Sequence, residues 1–131
     1  MGIMHKVSGT SGLSNSAASA ETVVYTTPAV QIGPVGVPNP IDISGSINLT
    51  AGTGTTAVVI RCRQGGLTGP LVGVALTHTL AAAALASISF GFTDTTTFLE
   101  QAGGGQYVIT VQQTGGTGAG TSNAIDIKVM T

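Results

Sequence analysis

The sequence predicts an all-β fold: a two-sheet antiparallel sandwich, jelly-roll-like, with a flexible N-terminal arm. Short runs of β-branched and aliphatic residues alternate with polar residues, which is the period-two pattern of strands that are buried on one face. Gly, Pro and Asn separate these runs at short intervals, as they do in sandwiches and barrels. No segment carries a convincing long helical pattern, so a mixed fold is not expected.

Residues 1–20 are predicted to form the arm and residues 21–131 the β-sandwich domain. A chain of 131 residues has the size of one domain. Within the arm, residues 8–20 are small and polar, and such a segment buries too little apolar surface to fold by itself. We therefore expect the arm to be disordered alone or ordered by a partner.

The first strands are predicted on either side of a proline-rich connection. A strand is expected over residues 22–27. Residues 28–40 then carry four of the five prolines. Because proline cannot donate a hydrogen bond to a ladder, this segment predicts a bulged edge or an irregular connection. Residues 41–49 alternate cleanly, and the predicted inner face of this strand carries Ile41, Ile43, Ile47 and Leu49.

Five further segments complete the predicted sandwich. Residues 56–63 form a β-branched strand, and residues 71–80 are expected to form the next one. The alanines within residues 81–92 favour a helix, but the alternation over residues 85–92 predicts a strand there. Strands over residues 107–113 and 124–130 close the fold, which gives about seven or eight strands in all. The pattern leaves the order of the strands open.

The low charge of the chain indicates a surface that is covered by partners or by small polar residues. Charged residues make up 7% of the sequence, against roughly 25% in an ordinary domain. The net charge is −1, and the chain has only four basic residues. Four basic residues are too few for a surface that tracks phosphates, so nucleic-acid binding is not expected.

No membrane association is expected either. The N-terminus lacks the basic region and apolar stretch of a secretory signal. The longest apolar run, residues 80–86, is far too short to span a bilayer. Cys62 is the single cysteine, so the chain has no internal disulfide.

The sequence predicts no catalytic, cofactor or metal site, and we expect a protein that is not an enzyme. The five acidic residues are scattered over separate segments, whereas a catalytic carboxylate pair needs two acids a few ångströms apart. Glycine-rich residues 51–56 and 115–121 precede strands rather than helices, which favours turns over phosphate loops. Cys62 and His78 have no evident third metal ligand, and a cysteine within a strand is most often an inert apolar residue.

Arg61 and Arg63 are candidate contact residues, because alternate positions of one strand project from the same face. An arginine pair can bind acids of a neighbouring chain. The more frequent alternative is a solvated strand face. Met4, His5 and Lys6, which lie in the predicted arm, are the other candidate contacts with a subunit or a capsid.

Two segments resemble a known class of virus protein. Residues 43–65 read ISGSINLTAGTGTTAVVIRCRQG, and residues 105–120 read GQYVITVQQTGGTGAG. Together with the closing strand, they resemble the small β-sandwich decoration or cement proteins of tailed bacteriophage capsids, over residues 22–131. The resemblance lies in the style and order of the strands rather than in a motif, so it carries no functional residue to this chain.

The resemblance implies a jelly-roll-like domain on the capsid exterior, often a trimer, that bridges neighbouring shell subunits. We therefore expect a structural virion protein, made in the host cytoplasm, whose partners are the major capsid protein and further copies of itself in a homotrimer. One alternative is a receptor- or carbohydrate-binding module of a phage tail or fibre. Another is a major structural subunit of the particle.

Overall fold

The chain folds into two antiparallel β-sheets in a computed structural model. The structure describes residues 3–10, 13–15, 20–29, 36, 40–50, 57–79, 85–96, 98–99, 104–114 and 120–130. For residues 3–10, 13–15, 85–86 and 120–124 only the backbone is described. The strands are β1 (Ile3–Thr10), β2 (Leu13–Asn15), β3 (Thr22–Thr26), β4 (Ile41–Thr50), β5 (Ala57–Gln64), β6 (Leu76–Thr79), β7 (Leu85–Asp94), β8 (Tyr107–Thr114) and β9 (Gly120–Met130). Within the described residues, no helix is long and apolar enough to cross a membrane.

The strand order is that of a jelly roll. Sheet A contains β1, β9, β4 and β7 in that order, and β2 also pairs with β9. Sheet B contains β3, β8, β5 and β6. From β3 onward the chain alternates between the sheets, except where β5 and β6 pair within sheet B. When β1 and β2 are taken as one interrupted strand, eight strands form two four-stranded layers, which is the jelly-roll arrangement. The predicted all-β sandwich of two antiparallel sheets is therefore confirmed.

The prediction of a free arm over residues 1–20 is wrong for the part of that segment that the structure describes. Residues 3–10 pair with β9 from Ile3 opposite Met130 to Thr10 opposite Ile125, and residues 13–15 pair with its first residues. The physical reason is that backbone N–H and C=O groups make the ladder, so a segment with few apolar side chains still gains partners. The described part of the segment thus forms one edge of sheet A.

The core lies between the inner faces of the two sheets. β4 shows the predicted alternation, because its four apolar residues are at most 1% exposed while Asp42 and Asn48 are exposed. β5 and β8 supply the facing layer. The core is mainly aliphatic, and Phe90, Phe92 and Tyr107 are also buried in it. Its other principal members are Ile41, Ile43, Ile47, Leu49, Val58, Ile60, Cys62, Ile109, Val111, Ile125, Ile127 and Val129.

Some strand bounds differ from those that the sequence predicts. The strand expected over residues 71–80 is confined to β6, since Gly73 has a positive φ of 68° that breaks the extended run. Leu71 makes only an isolated bridge to Arg63. The strand expected over residues 85–92 is present as β7. Most of the proline-rich connection, residues 30–35 and 37–39, lies outside the described residues.

Candidate functional site

Two polar clusters are formed by the described side chains, and the first lies on the outer face of sheet B. Arg61 and Arg63 project from β5 on the face opposite Val58, Ile60 and Cys62, as the alternation predicts. Their partner is Glu21, which lies just before β3. The Nε atom of Arg63 donates to Glu21 Oε2 over 2.6 Å, and its Nη2 atom donates to Oε1 over 2.9 Å.

Three more contacts complete this cluster, which we name the Glu21 network: Glu21, Arg61, Arg63, Thr110 and Gln112. Arg61 Nη1 lies 3.4 Å from Glu21 Oε1 and donates to Gln112 Oε1 over 2.7 Å. The Thr110 hydroxyl donates to Glu21 Oε2 over 2.8 Å. The three charged side chains are only 17–20% exposed. The network therefore ties the start of β3 to β5 and β8.

The arginine pair does bind an acid, but that acid belongs to the same chain. The sequence-based interpretations were an acid of a neighbouring chain or a solvated face. In the structure, Arg63 instead donates two hydrogen bonds to Glu21 and one, from Nη1 over 2.9 Å, to the carbonyl oxygen of Gly69. The pair is therefore primarily an internal clamp.

The electrostatics of the network favour a charged glutamate. The hydrogen bond from Arg63 is the main reason that the pKa of Glu21 is held below its ordinary value of 4.5, with Thr110 and the positive charges of both arginines acting in the same direction. Burial acts in the opposite direction, since it disfavours the carboxylate. The same bidentate contact raises the pKa of Arg63.

The stability of the fold is expected to depend on Glu21 in acid. A lowered folded-state pKa means that the contribution of Glu21 is fully present above about pH 4.5 and is lost as the pH falls through the lower folded-state value. Glu21→Gln is expected to cost about 1–2 kcal/mol at pH 7. The unfolding midpoint of the variant should also fall less steeply in acid than that of the wild type. Parallel acid profiles for the two proteins would contradict this account, and Asp42→Asn, at an exposed acid, is the matched control.

The second polar cluster, which we name the Asp94 clasp, joins the two sheets. It consists of Asp94 at the end of β7, Tyr107, Gln64 and Thr96. Tyr107 lies in β8 with no exposed surface, and its hydroxyl donates to Asp94 Oδ2 over 2.7 Å. Gln64 Nε2 donates to the same oxygen over 3.0 Å, and the backbone N–H of Thr96 donates to Oδ1 over 2.9 Å. Asp94 is 3% exposed, so the carboxyl group at the end of a sheet A strand is held by two donors from sheet B and by Thr96, which follows β7.

Cys62 and His78 are not brought together as a ligand pair. Cys62 faces the core with no exposed surface, and burial raises the pKa of its thiol to about 12. His78 is exposed in the short strand β6, opposite Val58. Among the described residues, no group of three or more His, Cys, Asp or Glu lies close enough to hold a metal ion. The thiol is therefore an apolar core group at neutral pH.

The predicted contact residues lie on different sheets. Met4, His5 and Lys6 belong to β1 in sheet A, where His5 pairs with Val129 and Lys6 with Lys128, and only their backbone is described. Arg61 and Arg63 belong to sheet B. The sequence pattern did not point to Glu21 and Asp94, whose partners are up to 89 residues away in the chain. Spacing along the sequence carries no signal of such contacts.

The described strands form an eight-stranded jelly-roll sandwich. The side chains of its two polar clusters bind other residues of the same chain. No protein-family model matches the chain, and no curated protein matches its sequence. Solved structures do match. The chain is similar to a chain of the T13 viral particle of infectious bursal disease virus, with a TM-score of 0.62 and 7% identity over 96% of this chain and 30% of that chain.

Other structures of the same virus give the same result. The match to the Gx strain has a TM-score of 0.54 and 10% identity, and covers 96% of this chain and 30% of that chain. The match to the VP2 subviral particle has a TM-score of 0.52 and 10% identity, and covers 95% and 30%. At such identities the likeness is one of fold. The chain spans less than a third of the length of these virus-particle chains.

Proposed function

We propose that the chain is a structural, non-catalytic protein of a virus particle, and specifically a decoration or cement protein on the outside of a capsid shell. The observation that carries the proposal is the jelly-roll topology. Its likeness to chains of virus particles extends over nearly the whole chain. The low charge content supports it, because a chain with only 7% charged residues has few hydrated charges to lose when partners cover its surface.

In the proposed mechanism, one rigid sandwich binds across neighbouring shell subunits and buries surface that they otherwise expose. The Glu21 network and the Asp94 clasp hold the sandwich together, so that binding costs little internal reorganisation. A contact area is offered by the connection between β5 and β6, where Leu67, Leu71 and Val74 are 43%, 43% and 72% exposed. A protein that binds only the closed shell stabilises that shell by mass action. The partners are the major capsid protein and further copies of this chain, with a homotrimer as the proposed oligomer.

A carbohydrate-binding role has less support from the side chains. Sugar sites usually offer an exposed aromatic platform. All five aromatic residues of the chain are described: Phe90, Phe92 and Tyr107 are buried, and Tyr25 and Phe98 are partly buried against the core. The described aromatic side chains therefore present no such platform.

The second candidate function is a major structural subunit of the particle. The observation that favours it is that the fold neighbours are themselves chains of virus particles. A decoration protein adds to a shell that already exists, whereas a shell subunit is needed to build one. The two roles are therefore separated by an assembly experiment.

Co-sedimentation of the purified full chain with shells assembled from the shell protein of the same genome tests the proposal. We expect saturable binding at a fixed number of copies per shell, with no binding to the free shell protein. Glu21→Gln, measured at a temperature where it remains folded, is expected to bind as the wild type does, because its carboxylate acts within the chain. Shells that form only in the presence of this chain would support the second candidate. Absence of binding at saturating concentration would overturn the decoration role.

A further inference from the structure

Sheet edges expose unpaired backbone groups. Among the strands that the structure describes, the edge strands β1, β3 and β6 carry features that discourage pairing with another chain. β1 has two register shifts along its ladder with β9, and β3 has one shift within five residues. β6 is only four residues long. Short edge strands and bulges of this kind are common protective devices of natural sheets.

β7 is the exception among the edge strands of the described residues. Its ten residues pair one to one with β4, from Leu85 opposite Thr50 to Asp94 opposite Ile41, without a register shift. Its sequence contains no proline, lysine, arginine or glutamate. Asp94 is its only charged residue, and that carboxylate is turned inward to the Asp94 clasp. In the described structure, β7 pairs with β4 alone, so its other edge is unpaired.

The side chains of β7 are complementary to a second copy of the same strand. On the outer face, Ser87, Ser89, Gly91 and Thr93 are small and exposed, whereas Ile88, Phe90 and Phe92 on the inner face are 5% exposed. In an antiparallel pair centred on Ser89, the outer residue Ser87 lies opposite Gly91 and the inner residue Ile88 lies opposite Phe90. Small polar residues thus meet small residues, and apolar residues meet apolar residues.

We propose that the free edge of β7 pairs antiparallel with β7 of a second copy of this chain, which joins two A sheets into one continuous sheet. The contact is two-fold and isologous, since the same strand is used by both copies. A net charge of −1 per chain gives little repulsion between copies. The inference is independent of the shell-binding role, because it concerns contacts between copies in solution.

A two-fold contact fixes the parity of the oligomer. It gives a dimer by itself, or a hexamer if it joins two of the homotrimers proposed above. Sedimentation equilibrium of the full chain, up to roughly 1 mM, is expected to show an even number of copies. A protein that remains monomeric throughout, or that forms only trimers, would overturn the inference.

Ser89→Lys tests the edge directly. Two lysines would face each other at the centre of the paired strands, and like charges directly opposite disfavour pairing. We expect the dissociation constant of the two-fold contact to rise at least roughly tenfold. Thr77→Lys is the matched control, because Thr77 is exposed in the edge strand β6 of the other sheet and the substitution adds the same charge.

Thr77→Lys is expected to associate as the wild type does. Should Ser89→Lys unfold, as judged by circular dichroism, Ser87→Lys takes its place, because a lysine on an edge strand disfavours pairing even though it would lie opposite Gly91 rather than a second lysine. Hydrogen exchange provides a second measurement: the β7 amides that point away from β4 should exchange more slowly in the associated state. Equal association of the β7 variants and of Thr77→Lys would refute the proposed edge contact, whatever the outcome of the shell-binding experiment.

Discussion

Replacing Asp94 with alanine is expected to lower the free energy of unfolding by about 3 kcal/mol. Asp94 is 3% exposed and accepts hydrogen bonds from Tyr107, Gln64 and Thr96. The substitution leaves the Tyr107 hydroxyl, which has no exposed surface, without this acceptor. A buried donor that loses its acceptor costs about 1–3 kcal/mol. The less buried donors Gln64 and Thr96 each lose a hydrogen bond as well, which places the expected cost at the upper end of this range. The loss also removes a side-chain link between the sheets.

Urea unfolding monitored by circular dichroism measures this effect. The matched control is Asp42→Ala, which removes a carboxylate from the neighbouring strand at the same end of sheet A. Asp42 is exposed and accepts one hydrogen bond, from the Thr93 hydroxyl over 3.1 Å. We expect the control to cost no more than about 0.5 kcal/mol. Equal losses for the two variants would show that Asp94 does not hold the sheets together.

Gly45→Ala is expected to cost about 3 kcal/mol, the upper end of the usual range for overpacking. Gly45 lies within β4, opposite Ile127 of β9 and Phe90 of β7. A Cβ atom at this position would collide with the backbone carbonyl group of Asp126. Because that carbonyl belongs to the central ladder of sheet A, relief requires a shift of the backbone rather than of a flexible side chain.

Gly91→Ala is the control for this second substitution. Gly91 lies in β7 of the same sheet, opposite Ser44, and a Cβ atom there meets no other atom within 4 Å. Alanine should therefore be neutral or slightly stabilising, since it restricts the unfolded chain more than glycine does. Thermal unfolding of both variants makes the comparison. A Gly45→Ala protein as stable as Gly91→Ala would contradict the close approach of β4 and β9.

Much of the fold could be predicted from local alternation, because burial of one face imposes a period of two on the side chains. This held for β4 and β5, where the predicted inner residues are the core residues. The alternation also identified β7 against the helix propensity of the alanines that precede and begin it, since apolar burial outweighs intrinsic propensity.

Strands β1 and β2, at one edge of sheet A, could not be predicted in this way. β1 and β2 are held by backbone pairing with β9, more than a hundred residues away in the chain, and backbone groups leave no signature in composition. The partner of the candidate contact residues could not be predicted for a related reason. The sequence shows that Arg61 and Arg63 share a face, but the partner Glu21 comes to them only through the packing of β3 beside β8.

The most direct test of the structural role is the thermal opening of capsid shells with and without the bound chain. Shells are assembled from the shell protein of the same genome, and opening is followed by release of an encapsulated dye. We expect bound shells to open at a higher temperature, which rises further with protein concentration. The stabilisation should be about 2.7 kcal/mol per independent site at a protein concentration a hundred times the dissociation constant. Shells that bind the chain yet open at an unchanged temperature, or that do not bind it, would contradict the account.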